Sequence, residues 1–170
     1  YPYEITINPK MSFGTGHHET TYQILSILMD MDCKNKRVMD AGCGTGVLAI
    51  MAHLKKAKLV EAFDVDDWCI DNSQENFDLN GCSNCHVQQG TLGQLHFSQP
   101  FDIVIANINK NVLLDEIKLY ANSLNVGGKL VLSGFYEADI DDLIQKANNY
   151  GLTYLSQTTR NNWAAVVLEK

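Results

Sequence analysis

Proline, charged residues and long hydrophobic runs are all scarce in this chain. Of 170 residues, 3 are Pro, 19% are charged and 45% are hydrophobic, so the composition excludes a disordered chain. No apolar stretch approaches the roughly 20 residues of a membrane-spanning helix, and no signal-peptide pattern opens the sequence. The length fits one domain, residues 1–170, and we expect no contact with a membrane.

Positive charge is also in short supply. Lys and Arg number 13 against 20 Asp and Glu, which gives a net charge of −7. Such a balance disfavours a general surface for the phosphate backbone of nucleic acids. We therefore expect no direct binding of nucleic acid.

Five cysteines are present, an odd number, and they lie within helical or strand-like patterns rather than in a loop-rich framework. This usage favours the reducing cytoplasm over a secreted, disulfide-linked protein. The segment 82–86 matches the C-x-x-C-H form of covalent haem attachment. Since no second C-x-x-C completes a zinc site, we interpret the segment as a helix-to-strand loop and predict no metal site, with a haem or metal carrier as the alternative.

Strand and helix patterns alternate along the sequence, which predicts an α/β fold with a mostly parallel sheet covered on both faces. An antiparallel hairpin is expected to close the chain, with a long turn over residues 157–162. Residues 4–7 are a candidate for a further, leading strand. The predicted strands are 37–40, 59–63, 86–89, 101–106, 129–133, 153–158 and 164–169; the predicted helices are 19–31, 47–55, 66–79, 112–124 and 139–149.

A glycine turn, Gly42-Cys43-Gly44-Thr45-Gly46, follows a predicted strand and opens a helix. Glycines there let a ligand approach the backbone closely, near a helix N-terminus that favours hydrogen-bond acceptors. The spacing is G-x-G-x-G, whereas a dinucleotide fingerprint needs G-x-G-x-x-G. A bare tight turn between strand and helix is the structural alternative.

A carboxylate follows the next predicted strand at Asp64. One carboxylate can accept hydrogen bonds from both hydroxyls of a ribose, which nicotinamide cofactors and methionine-derived cofactors both carry. We expect the neighbouring Asp66 and Asp67 to cap a helix.

Several segments together resemble one family, the PrmA methyltransferases of ribosomal protein L11, which are class I enzymes dependent on S-adenosylmethionine. Residues 13–21 (Phe-Gly-Thr-Gly-His-His-Glu-Thr-Thr) are similar to that family's F-G-T-G-x-H-x-T-T segment, although His17 and Glu19 replace its usual Thr and Pro. The order and spacing of the segments 40–46, 64–66, 106–108 and 127–134 match as well.

The resemblance implies a Rossmann-like, seven-stranded, mostly parallel sheet and the transfer of methyl groups to amino groups, at lysine side chains and the N-terminus, of ribosomal protein L11. It implies S-adenosylmethionine as cofactor, S-adenosylhomocysteine as product, and a lid over residues 13–16. Asn107 would also position the substrate amine as the catalytic residue. The implied cofactor-binding residues are Thr21, Asp40, Gly42, Gly44, Asp64 and Asn107.

Some roles stay open at this point. The Thr21 hydroxyl can bond the cofactor's carboxylate or cap a helix, and Asn109 and Asn111 fit a polar turn before a helix. The family also carries an N-terminal recognition domain, which we expect to be absent from this chain. The alternative functions are a small-molecule N-methyltransferase and a nicotinamide-dependent oxidoreductase, the latter disfavoured by the glycine spacing.

Overall fold

Five helices and seven strands alternate along the part of the chain that the computed structural model describes, residues 2–9 and 17–170. The predicted lid, residues 13–16, lies outside these ranges. The helices are α1 (His17–Asp30), α2 (Val47–Leu54), α3 (Asp67–Leu79), α4 (Lys110–Ser123) and α5 (Ile140–Asn148). The strands are β1 (Arg37–Ala41), β2 (Leu59–Asp64), β3 (Cys85–Gln89), β4 (Phe101–Asn107), β5 (Leu124–Tyr136), β6 (Thr153–Arg160) and β7 (Trp163–Glu169).

All seven strands form one sheet in the order β3-β2-β1-β4-β5-β7-β6. Strands β1 to β5 run parallel, while β7 pairs antiparallel with both β5 and β6. The predicted fold is therefore confirmed. The chain leaves β1 towards β2 on one side and leaves β4 towards β5 on the other. These diverging connections open a crevice at the carboxyl ends of β1 and β4, which is where such sheets bind ligands.

Two apolar layers enclose the sheet, because side chains along each parallel strand alternate between its faces. On β4, Val104 and Ala106 face the layer of α4 and α5, whereas Ile103 and Ile105 face the layer of α1, α2 and α3. All four side chains are buried. The crevice thus rests on a rigid, fully covered sheet centre.

The C-terminal strands are longer than predicted. Strand β5 begins at Leu124, which pairs with Phe101 ahead of a register shift, so the strand includes Gly127 and Gly128 and starts five residues before the predicted Lys129. The hairpin turn between β6 and β7 is short, not long. Asn161 and Asn162 adopt positive φ angles of 50° and 70°, as two-residue hairpin turns require.

The expected leading strand is wrong, because residues 2–9 contain no strand and pair with no edge of the sheet. The backbone of Thr6 and Asn8 bonds instead to side-chain amides of α3. Side chains can satisfy an extended backbone as well as a neighbouring strand does. The polar groups of this backbone are therefore satisfied by side chains and not by a neighbouring strand.

All five cysteines are buried, and none forms a disulfide with another. Within residues 2–9 and 17–170, no helix is both long enough and apolar enough to traverse a bilayer.

Candidate functional site

The glycine turn connects β1 to α2 in a backbone conformation that favours glycine. Gly42, Gly44 and Gly46 have φ angles of +68°, +55° and +85°, which other residues adopt only with strain. The amides of Gly42 and Cys43 both donate to the Phe63 carbonyl, at 2.9 and 3.0 Å. The turn is thereby fixed against the end of β2.

Helix α3 holds the turn from the other side. The Ser73 hydroxyl donates to the Gly44 carbonyl at 2.8 Å, and the Asn76 side-chain amide donates to the Thr45 carbonyl at 2.9 Å. Ser73 and Asn76 are completely buried. Sequence reasoning missed both, although polar residues of poor helix propensity on one helix face were a visible signal.

The Asp64 carboxylate lies beside the turn at the end of β2. Its Oδ2 accepts the Gly44 N–H at 3.0 Å and its Oδ1 accepts the Asp66 N–H at 3.2 Å. Each oxygen retains a further lone pair. The side chain is therefore held in place while it can still accept two hydrogen bonds from a ligand.

The expected helix caps differ in their outcomes. Asp66 occupies the N-cap position of α3 as predicted, but its side chain makes no capping bond. Asn109 does cap α4, because its side chain accepts the Val112 N–H at 3.1 Å. Thr21 lies inside α1 and is not a helix-start cap.

Asn107 ends β4 and meets Thr21 from α1. Its side-chain amide donates to the Thr21 hydroxyl at 3.5 Å, and both residues are half-buried. The chain beyond Asn107 is held by the Ile108 amide, which donates to the Ser133 carbonyl at 3.0 Å. A Cβ on Gly134 would collide with the Ile108 backbone, so a glycine in β5 lets this segment pass.

A cavity of about 110 Å³ lies where these elements converge. Five of the six predicted cofactor-binding residues line it, and Asp40 does not. Sites that enclose a whole ligand have volumes of roughly 300 Å³ or more. The described residues can therefore enclose only part of a ligand. The lining residues are Thr21, Gly42, Cys43, Gly44, Thr45, Val47, Leu48, Asp64, Asp66, Cys69 and Asn107.

A larger cavity, of about 570 Å³, lies elsewhere, where the starts of β4 and β5 meet β6 and the end of α1. None of the predicted site residues lines it. Its position at the amino ends of the parallel strands is opposite to the edge where open α/β sheets bind ligands.

Asp40 lies beneath the turn, with 1% of its surface exposed. Neither of its carboxylate oxygens has a hydrogen-bond partner among the described residues. Burial raises its pKa to about 7, and the nearby Asp64 charge adds to the rise, although the Ala49 amide offsets part of it without forming a well-aligned bond. Such a carboxylate favours positive charge nearby.

The cavity's thiols are unsuited to nucleophilic chemistry. Burial raises the pKa of Cys69 to about 12, and the neighbouring Asp64 charge contributes to the rise. Burial likewise raises the pKa of Cys43 well above its ordinary value. Both side chains therefore remain thiols at neutral pH, whereas the thiolate is the reactive form.

The C-x-x-C-H segment brings the thiols of Cys82 and Cys85 together but leaves His86 apart from them. Cys82 and Cys85 are buried, whereas His86 is exposed on the opposite side of β3. The Cys85 thiol faces the Ala49 carbonyl of α2 at 3.8 Å. The haem or metal interpretation of this segment is therefore unsupported.

Comparison with known proteins agrees with the ligand site that the geometry indicates. The family described as ribosomal protein L11 methyltransferase (PrmA) matches residues 2–170. This chain belongs to the PrmA family. Among its relatives, the ribosomal protein L11 methyltransferase of Bacteroides fragilis is 47% identical over 96% of the chain, and that of Porphyromonas gingivalis is 50% identical over 97%. The chain spans 59% and 57% of those relatives' lengths.

Solved structures confirm the PrmA-like architecture. The ribosomal protein L11 methylase from Lactobacillus delbrueckii subsp. bulgaricus superposes with a TM-score of 0.84 at 29% identity, covering 91% of this chain and 80% of that one. Magnesium protoporphyrin IX methyltransferase from Synechocystis, solved with bound SAM, gives 0.72 at 22% identity over 91% of this chain and 80% of its own. The chain therefore has the class I methyltransferase fold.

Proposed function

We propose that this chain is a protein methyltransferase domain that moves a methyl group from S-adenosylmethionine to amino groups of ribosomal protein L11. The observation that carries the proposal is the convergence of Asp64, the glycine turn, Asn107 and Thr21 on one cavity at the carboxyl edge of the sheet. Family membership and the relatives' names support the choice of substrate.

The residues present fit such a cofactor. Asp64 is held by two backbone amides and keeps one acceptor site on each oxygen, which suits the two hydroxyls of a ribose. Gly42 and Gly44 present bare backbone to the cavity, which lets a ligand lie against the turn. We assign Thr21 and Asn107 to the methionine end, since Asn107 ends β4 on the other side of β1 from Asp64 and contacts Thr21 there.

When bound, S-adenosylmethionine would supply an electrophilic methyl group on its sulfonium sulfur; a neutral amine would attack the methyl carbon in line, forming the N–C bond as the C–S bond breaks, with S-adenosylhomocysteine as the leaving group. Asn107 would accept a hydrogen bond from the incoming amine through its side-chain carbonyl, because its amide donates to Thr21. This orients the amine's lone pair, and positioning of this kind lowers the barrier without a charged catalyst.

The substrate's proton needs a route out of the site. Free lysine has a pKa of about 10.4, so the amine arrives mostly protonated. The titratable residues that line the described cavity are Asp64, Asp66 and Cys69 on the β2 and α3 side and Cys43 in the glycine turn, whose thiol stays protonated because burial raises its pKa. Asn107 is not a base, and we assign the proton to solvent before the methyl transfer.

Asp40 acts from beneath the turn. Its buried and unpaired carboxylate makes no direct contact with the cavity. When ionised, it would favour the cationic groups of the cofactor over the neutral sulfur of the product, since a buried charge in a low dielectric acts over several ångströms.

We place the protein in the cytoplasm. A methyl-transfer assay with labelled S-adenosylmethionine, run under reducing conditions, tests the proposed function. We expect label to appear on purified ribosomal protein L11 and to be lost when Asn107 is replaced by Ala. Bulk small amines serve as the competing substrates.

Two results would contradict the proposal. Label on the small amines but not on the ribosomal protein would favour a small-molecule N-methyltransferase. Unchanged turnover in the Asn107→Ala variant would remove this residue from the reaction.

A further inference from the structure

We propose that Asn76 couples the N-terminal segment Thr6–Asn8 to the glycine turn, so that the docked segment fixes the shape of the ligand-binding backbone. Asn76 is thereby a positioning residue rather than a catalytic one. The inference rests on the proposed function only where it concerns the ligand, because the coupling itself is a property of the protein without ligand.

Three asparagines spaced four residues apart hold the N-terminal segment: Asn72 and Asn76 in α3 and Asn80 at its C-cap. Asn80 makes two bonds to Thr6, accepting its N–H at 2.9 Å and donating to its carbonyl at 2.7 Å. Asn72 donates to the Asn8 carbonyl at 2.6 Å. Residues at this spacing lie on one face of a helix, so the amides form a ladder along the extended segment.

Asn76 is the only one of the three that also touches the turn. Its Oδ1 accepts the Asn8 N–H at 2.8 Å, while its Nδ2 donates to the Thr45 carbonyl at 2.9 Å. One planar amide therefore joins two segments that are far apart in the sequence. If the segment leaves, the Oδ1 of Asn76 loses the Asn8 N–H that donates to it, and the amide is free to rotate away from Thr45.

Complete burial makes this link strong. Asn76 has no exposed surface, and a buried amide that loses a partner cannot replace it with water at no cost. The neighbouring Ser73 bond to Gly44 adjoins the same stretch of turn. Loosening at Thr45 therefore reaches the backbone that lines the cavity at Gly44, next to Asp64.

A pair of substitutions at Asn8 separates the coupling from other effects. Asn8→Pro removes the N–H that Asn76 accepts, because proline has no amide hydrogen. Asn8→Ala is the matched control, since it keeps that N–H and removes only the exposed side-chain bond to Glu75. Hydrogen exchange of the Gly44 and Gly46 amides is measured without ligand, and the Kd of S-adenosylhomocysteine is measured by calorimetry.

We expect Asn8→Pro to speed exchange of the turn amides about fivefold and to raise the Kd about fivefold, as the loss of one buried hydrogen bond predicts. Asn8→Ala should leave both at their wild-type values. Asn80→Ala provides a second route, because it frees Thr6 without touching the turn; besides the bonds to Thr6 it removes the bond from its amide to the backbone carbonyl of Asn76. It should change both readouts in the same direction.

Wild-type exchange at the turn in both Asn8→Pro and Asn80→Ala would overturn the coupling. A wild-type protein that fails to bind S-adenosylhomocysteine would instead contradict the proposed function. In that case the exchange rates alone still decide whether the segment and the turn are linked.

Discussion

At the scale of single residues, three neighbouring aspartates have different environments. Asp64 receives two backbone amides and lines the cavity, whereas Asp67 is exposed in the first turn of α3. Asp66 stands between them, at the N-cap position without a capping bond. Position relative to the sheet edge, and not residue type, therefore distinguishes Asp64, the carboxylate that we propose binds the ligand.

Replacing Asp64 by Asn is expected to weaken binding of S-adenosylhomocysteine between about tenfold and a hundredfold. The substitution removes the charge and one acceptor oxygen, and hydrogen bonds to a charged group contribute roughly 1.5–3 kcal/mol each. Calorimetric titration gives the Kd. The control Asp67→Asn should bind as the wild type does, and equal losses in both variants would refute the assignment.

At the scale of elements, the β1–α2 turn is built into the core. A Cβ on Gly46 would lie 2.8 Å from Cε1 of Phe77, which is buried in α3. The turn is thus restrained from below by packing and from the side by the Ser73 and Asn76 bonds. Its shape depends on α3 as much as on its own glycines.

Gly46→Ala should lower the unfolding free energy by about 2–4 kcal/mol. About 1–2 kcal/mol comes from a positive φ at a residue with a Cβ, and overlap with Phe77 supplies the rest. Gly151→Ala is the matched control, since Gly151 has a φ of +78° with nothing within 4 Å of its Cβ. Urea denaturation of both variants measures the difference, and equal losses would show that the contact with Phe77 is unimportant.

At the scale of the whole molecule, stability should depend on pH through Asp40. Burial raises the pKa of this carboxyl from 3.8 to about 7, so the folded state holds a proton that the unfolded state releases. Because the unfolded state binds fewer protons across that interval, the unfolding free energy should fall as the pH rises from about 3.8 to about 7.

Asp40→Asn removes this titration. The variant should gain stability relative to the wild type as the pH rises through that interval, and the difference should level off above about 7. Urea denaturation at several pH values measures it. Asp71→Asn, at an exposed position on α3, should show no such trend, and a constant difference for Asp40→Asn would contradict the assignment.

Features formed by residues close together in the sequence could be predicted, whereas contacts between residues far apart in the sequence could not. The glycine turn and Asp64 were predictable because each directly follows a strand and its spacing is local. The bonds of Asn72, Asn76 and Asn80 join residues more than 60 positions apart, so no local pattern reveals them, and residues 4–7 were assigned to a strand. Asp40 was grouped with the ligand-binding residues because spacing does not tell which way a strand residue points.

The shielded cysteines provide a built-in probe of how the molecule opens. Since all five thiols are covered and none is bonded to another, a bulky alkylating reagent reacts only during transient separation of the layers. The order in which Cys33, Cys82 and the other cysteines become labelled would rank the regions of the protein by how readily each opens locally. No label would have to be introduced by mutation.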